Sequence, residues 1–259
     1  MPRGAASVGY RHAVDDETAL DVLRTAAREL ADAATRNVEQ DVPTYQGWSV
    51  ADLVVHTGRI HRWVTEIVRT RATQRLAQPD IAQRPSDLIA WFRAGAADLS
   101  EVLEVAAPSA PVWTFAGEST ISFWRRRMAL ETTIHRWDVQ RAFGDAAPIA
   151  DAVATAGITE ALRVYLEPRL RGADVGGGGE VVGLRPTGRE RTWAVRLRSD
   201  AVDVLDDADT ADVWIEAAPA ALWLFLMGRA QRDALDLPGP ERGVERLEHA
   251  VALLPPPAR

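Results

Sequence analysis

The segment Glu131-Thr132-Thr133-Ile134-His135 sets a carboxylate and an imidazole four residues apart. On a helix, which turns roughly 100° per residue, that spacing stacks both side chains on one face, one turn apart. A carboxylate oxygen and an imidazole nitrogen so placed are two of the donors a divalent metal ion accepts. A third donor stands upstream, His56, at the end of Gly47-Trp48-Ser49-Val50-Ala51-Asp52-Leu53-Val54-Val55-His56. The same glutamate–histidine pair is also ordinary on solvated helices, where it is weakly stabilising. A histidine beside two valines is often a satisfied core residue. Local spacing alone therefore leaves both readings open.

The neighbouring residues extend the site or belong to the background. His61 follows His56 by five residues, about 140° around a helix, so both cannot easily face one ion. It is expected at a helix surface or a substrate mouth. His12, near the N-terminus, and His249, beside Glu248, read as structural or exposed. The run Arg125-Arg126-Arg127 has the character of a solvated face. Arg127, however, stands four residues before Glu131 on the same face, placed to orient that carboxylate or to meet an anionic substrate. Asp138 is three residues beyond His135, where it either holds the imidazole from behind or forms a surface ion pair. Trp137 is a candidate pocket wall, whereas Trp63, Trp91 and Trp223 fall at core positions of their helices.

The elements that must position these residues follow from periodicity and punctuation. Residues Asp16 to Asn37 carry Leu20, Leu23, Ala27 and Leu30 at helical spacing. Ser49 with Asp52 three residues on is a variant capping box that starts a helix running to about Thr73. A third helix is predicted from Ser86, and a fourth from about Ser122 to Phe143. Four such helices suggest a four-helix bundle, whose core is a usual place for a metal site. Beyond it, Asp151 to Leu166 is predicted helical, and Gly176 to Gly179 read as a flexible loop. Short alternating segments at Glu180–Leu184, Thr192–Leu197, Val202–Leu205 and Val213–Glu216 are predicted strands. Helices are predicted at Pro219 to Met227 and at Glu241 to Leu254, the latter ended by Pro255-Pro256-Pro257.

Composition narrows the chemistry. The 259 residues contain no cysteine, which excludes disulfides, thiolate-held zinc and a cysteine nucleophile. All 30 basic residues are arginine, so Schiff-base chemistry and a P-loop lysine are excluded too. A net charge of −7 argues against a general nucleic-acid binder. No apolar run approaches the ~20 residues of a membrane span. A cytoplasmic monomer or homodimer acting on a small molecule, with no nucleic-acid or membrane partner, is the expectation.

Two segments carry a family resemblance. The stretch Gly47 to His56, together with Arg127-Met128-Ala129-Leu130-Glu131-Thr132-Thr133-Ile134-His135-Arg136-Trp137-Asp138, resembles the two motifs of the mycothiol-dependent maleylpyruvate isomerase family, within the broader DinB-like metalloenzyme superfamily. The resemblance implies an α+β chain. A DinB-like four-helix bundle that binds metal would occupy residues 1–147. A small sterol-carrier-like α/β domain with an antiparallel sheet would occupy residues 148–259. It makes His56, Glu131 and His135 the ligands of a divalent metal, usually zinc, and mycothiol the thiol cosubstrate. Leu226-Met227-Gly228-Arg229 resembles a family segment that sends a basic residue toward the active-site cleft. Arg229 and Asp138 are thus the candidates for catalytic work, and Arg127 and Trp137 for cofactor contact. Without the family, Arg229 reads as a helix C-terminal cap.

Two imidazoles and one carboxylate would leave zinc an open position, the mark of a catalytic rather than a structural site, although the same donors suit non-haem iron. The function implied is activation of a small thiol for addition to an electrophile, as an isomerase or a transferase. A metal-dependent hydrolase and a ligand-binding protein with a structural metal are the alternatives.

Overall fold

The computed structural model describes residues 15–81, 84–188, 191–206, 208–230 and 242–254. His12, Glu241 and the prolines from Pro255 to Pro257 lie outside these. The first half is the expected bundle: α1 (Asp16–Ala34), α2 (Val50–Thr70), α3 (Leu88–Val105) and α4 (Ile121–Ala142). The first three start at side-chain caps. Asp15 caps α1 by accepting from the Thr18 backbone N–H at 2.8 Å. The capping box at α2 is complete, with Ser49 accepting from the Asp52 N–H and Asp52 accepting from the Ser49 N–H. The cap of α3 is Asp87 rather than Ser86; its carboxylate accepts from the Ala90 N–H at 3.0 Å.

Helix α4 departs from the usual one-sided pattern. It is buried on nearly all sides, and the buried set includes Arg125, Arg127, Glu131, His135, Arg136 and Asp138. Charged groups inside a bundle need partners, because desolvation without pairing is costly. The run from Arg125 to Arg127 is accordingly not a solvated face. Arg125 donates to the carbonyls of Leu103, Glu104 and Ala106, which closes the C-terminus of α3. Arg126 pairs with Glu118, and Arg127 with Glu131.

The second half begins with α5 (Asp151–Glu160), which widens into a π-helical turn (Ala161–Leu166) and closes with α6 (Glu167–Arg169). A π turn inside a helix redirects the side chains that follow it. Strands β1 (Val181–Pro186), β2 (Trp193–Leu197), β3 (Val202–Asp206) and β4 (Val213–Ala217) form one sheet in the order β3-β2-β1-β4. The first three make an antiparallel meander. The expectation of an antiparallel sheet fails at β4, which lies parallel to β1 with Val182 opposite Val213. Alternation along a strand fixes which side chains face the core, not the direction of its neighbour. Helices α7 (Pro219–Leu226), with its proline in the first turn, and α8 (Arg242–Ala252) pack on the sheet.

The glycine run is not a loose loop. Gly176, Gly177 and Gly179 donate backbone bonds to Ser199, Arg198 and Leu197, and a Cβ on Gly177 would lie 2.4 Å from the Leu197 carbonyl. Glycine is needed there for close approach to the sheet edge.

A continuous apolar core joins the two halves. It runs from Leu23, Trp63 and Trp124 in the bundle through Ile158 to Val195, Trp223 and Leu247. A smaller cluster around Leu30, Trp48, Leu53, Phe92 and Val139 fills the other end of the bundle. No described helix is long and apolar enough to cross a membrane.

Candidate metal centre

Helices α2 and α4 bring His56, Glu131 and His135 together. One donor atom from each lies within 4.8 Å of the others, and all three residues are buried. His135 Nε2 is 3.2 Å from Glu131 Oε1, and His56 Nε2 is 3.6 Å from the same oxygen. The two imidazole rings meet edge to face at 5.3 Å, and Trp48 packs against His56 at 5.6 Å. Among the described residues this is the one group of three such donors.

The arrangement fits a divalent cation on its donor chemistry. The Nδ1 of His135 faces Asp138 at 3.1 Å, where Nδ1–H donates to the carboxylate. That assignment leaves the Nε2 lone pair directed at the cluster, as a metal-binding imidazole requires. Asp138 is fully buried and accepts in turn from Arg229, with Arg229 Nη2 at 3.0 Å. Three protein donors beside an open cavity match a site with a free coordination position.

Two charged chains support the donors from behind. One runs Arg229–Asp138–His135. Gly228, with φ +71°, turns the chain at the end of α7 and aims Arg229 back at the bundle. Arg229 also donates to the Met227 carbonyl and the Tyr45 hydroxyl, so it closes the helix end and reaches the site at once. The other chain runs Glu160–Arg127–Glu131, with Arg127 Nη1 2.8 Å from Glu160 and Nη2 on Glu131.

These contacts set the ionisation of the group. Burial opposes a charged Glu131, but Arg127 and the two imidazoles hold its carboxyl well below the usual range. Burial likewise opposes a charged His135, and Glu131 with Asp138 outweigh it and raise its pKa. Burial dominates at Glu160 and pushes it up to about 7. Asp138 remains low against its burial because Arg229 and His135 face it.

The donors open into a cavity of about 750 Å³ that extends between the bundle and the second half. Arg127 and Arg229 line it; Trp137 does not and packs half-buried against the core. The reason is angular, since two residues past His135 is about 200° around the helix. His61, expected near a surface or mouth, is instead fully buried. It bonds Thr132 Oγ1 at 2.8 Å, and burial lowers its pKa to about 3. His249 is exposed. Trp63 and Trp223 are core residues as expected, and Trp91 is partly buried under the Arg62 guanidinium.

Sequence reasoning passed over Tyr45, Glu160 and Tyr165. Tyr45 stands two residues before the first motif and carried a signal by adjacency alone. Glu160 and Tyr165 come from α5 and its π turn, and no local pattern links them to Glu131.

Residues 17–140 match the family model described as the mycothiol maleylpyruvate isomerase N-terminal domain. Two solved structures share the fold: the crystal structure of a mycothiol-dependent maleylpyruvate isomerase and that of a histidine-to-alanine mutant of it. Each has a TM-score of 0.61 at 14% identity, covering 90% of this chain and 99% of the other. No curated protein matches the chain.

Proposed function

We propose, from the match of residues 17–140 to the mycothiol maleylpyruvate isomerase N-terminal domain model, that the protein is a thiol-dependent metalloenzyme. In this reading His56, Glu131 and His135 hold a divalent cation, zinc being the first candidate, and mycothiol is the thiol cosubstrate that adds to an electrophilic small molecule. The observation that carries it is the convergence of three buried donors on the wall of a large cavity, with no fourth such donor in the group among the described residues. When bound, the cation would supply a Lewis acid that draws a small thiol toward its thiolate at neutral pH.

The remaining work falls to the chain's own residues. Arg127 keeps Glu131 ionised and fixes one of its oxygens, so the other is presented to the site. Asp138 holds His135 in the Nδ1–H tautomer and sets the ring's orientation. Arg229 neutralises Asp138 and, from the cavity wall, offers a cationic surface to a carboxylate or enolate on the substrate. Tyr45 stays a protonated phenol, because burial raises its pKa, and it can donate into the same space. A structural metal in a ligand-binding protein would ask for a closed set of donors, and the cavity beside these three argues for the catalytic alternative.

The test is thiol binding at the site. Cobalt-substituted protein titrated with mycothiol is expected to develop a sulfur-to-metal charge-transfer band that His135→Ala abolishes. Turnover without any thiol, with no such band, would move the assignment to a hydrolase.

A further inference from the structure

The same cavity has an aromatic end that the donors do not use. Trp63 stands seven residues after His56 on α2, and Trp124 seven residues before Glu131 on α4. Seven residues are two helical turns, about 10 Å along the bundle at ~1.5 Å each. The two indoles nonetheless meet, at 5.7 Å, so both helices lead from the donors to one ring cluster. Trp113 joins Trp63 at 5.6 Å, and Phe115 packs on Trp124 at 5.7 Å. Ile60 and Met128, one turn from the donors on each helix, line the space between.

This wall is rigid and left partly open. The indole N–H of Trp63 donates to the Leu76 carbonyl and that of Trp124 to the Trp113 carbonyl, so the polar edges of both are satisfied by backbone. The turn that carries Trp113 and Phe115 is closed by the Pro111–Thr120 bridge and by Thr114 Oγ1 donating to Ala116 and Glu118. Phe115 is still 43% exposed. It and Leu253 are two of the three large apolar side chains left exposed among the described residues. Phe115 lines the cavity, as do Ala252 and Leu254 on either side of Leu253. Exposed apolar groups gathered at the mouth of a cavity mark a surface that a ligand covers.

We propose that the electrophilic substrate is an elongated molecule bearing an aromatic or comparably large apolar group, which packs on Trp63, Trp113 and Phe115 while its reactive end reaches the donors. The substrate class rests on the thiol-enzyme reading; the ring site itself does not. The probes are 5-phenylvalerate and its ringless counterpart valerate, titrated calorimetrically into the zinc-loaded protein. The phenyl acid is expected to bind at least about tenfold tighter, the scale of burying one ring. Phe115→Ala, in an exposed turn, and Trp113→Leu are each expected to cut that advantage to about threefold or less, with metal content unchanged. Equal binding of the two acids, or an advantage that survives both substitutions, would overturn the proposal. So would a loss of mycothiol affinity in Phe115→Ala and Trp113→Leu as large as the loss of the ring preference, which would assign the wall to the thiol. A ring preference that persists where the cobalt band fails to appear would keep this site and remove the thiol reading alone.

Discussion

The bundle presents all three candidate metal donors, whereas the second half sends in Glu160 and Arg229, which reach them through Arg127 and Asp138. Glu160 acts through Arg127 on Glu131, and Arg229 through Asp138 on His135. The donors themselves belong to two neighbouring helices and are fixed by helical spacing. Their orientation and charge depend on groups 29 and 94 residues away in sequence (160 − 131 and 229 − 135). Donor identity is thus a local property of the bundle, and donor geometry a property of how the halves pack. A continuous core across residue 147 makes that packing firm.

The largest effect should come from the residue where the two halves meet in charge. Arg127→Ala leaves Glu131 and Glu160 buried without their shared cation, and breaking such a pair costs about 3–5 kcal/mol. Denaturant unfolding of the metal-free protein checks it. A loss under about 1 kcal/mol, the worth of an exposed pair, would mean that Arg127 is no bridge between the halves.

Next comes the support of His135. Asp138→Asn keeps the shape but removes the charge behind the imidazole, and metal affinity is expected to fall about 10–100-fold. Arg229→Gln should act in the same direction and more weakly, because it is one residue further out. Chelator competition measures both. Equal effects of the two would show that Arg229 and Asp138 act as one unit.

Two pH predictions separate the regions further. His61, in the bundle, has a folded pKa of about 3, below its unfolded value of 6.5. The unfolded chain therefore takes up its proton first, and stability falls as pH drops below about 6.5, by up to roughly 1.4 kcal/mol per unit. His61→Gln should flatten that limb of the stability curve. Glu160, in the second half, is raised from 4.5 to about 7. Its contribution is fully present below pH 4.5 and drains away as pH rises through 7. Glu160→Gln should remove this smaller slope. Urea midpoints across pH 4 to 8 resolve the two, and identical slopes in all three proteins would refute both assignments.

Much of the bundle was legible because its signals are local. Ser49 and Asp52 announce the start of α2, and Glu131 with His135 share a face by arithmetic. The fourth strand was misread in direction because Val213 to Glu216 alternates identically in either orientation. His61 was misplaced because a five-residue step from His56 shows only that it points elsewhere. Where it points was decided by Thr132 on a different helix. Arg229 could be suspected only by likeness, since its partner Asp138 is 91 residues away. Glu160 gave no sign, because a single glutamate ending a helix looks like any other.

The central claim is that His56, Glu131 and His135 hold a divalent ion, and metal analysis of the purified protein tests it most directly. Protein loaded with zinc and freed of excess is expected to retain one ion per chain, and the His56→Ala and His135→Ala forms to lose it while keeping their helical content. Undiminished metal in both substituted forms would contradict the account.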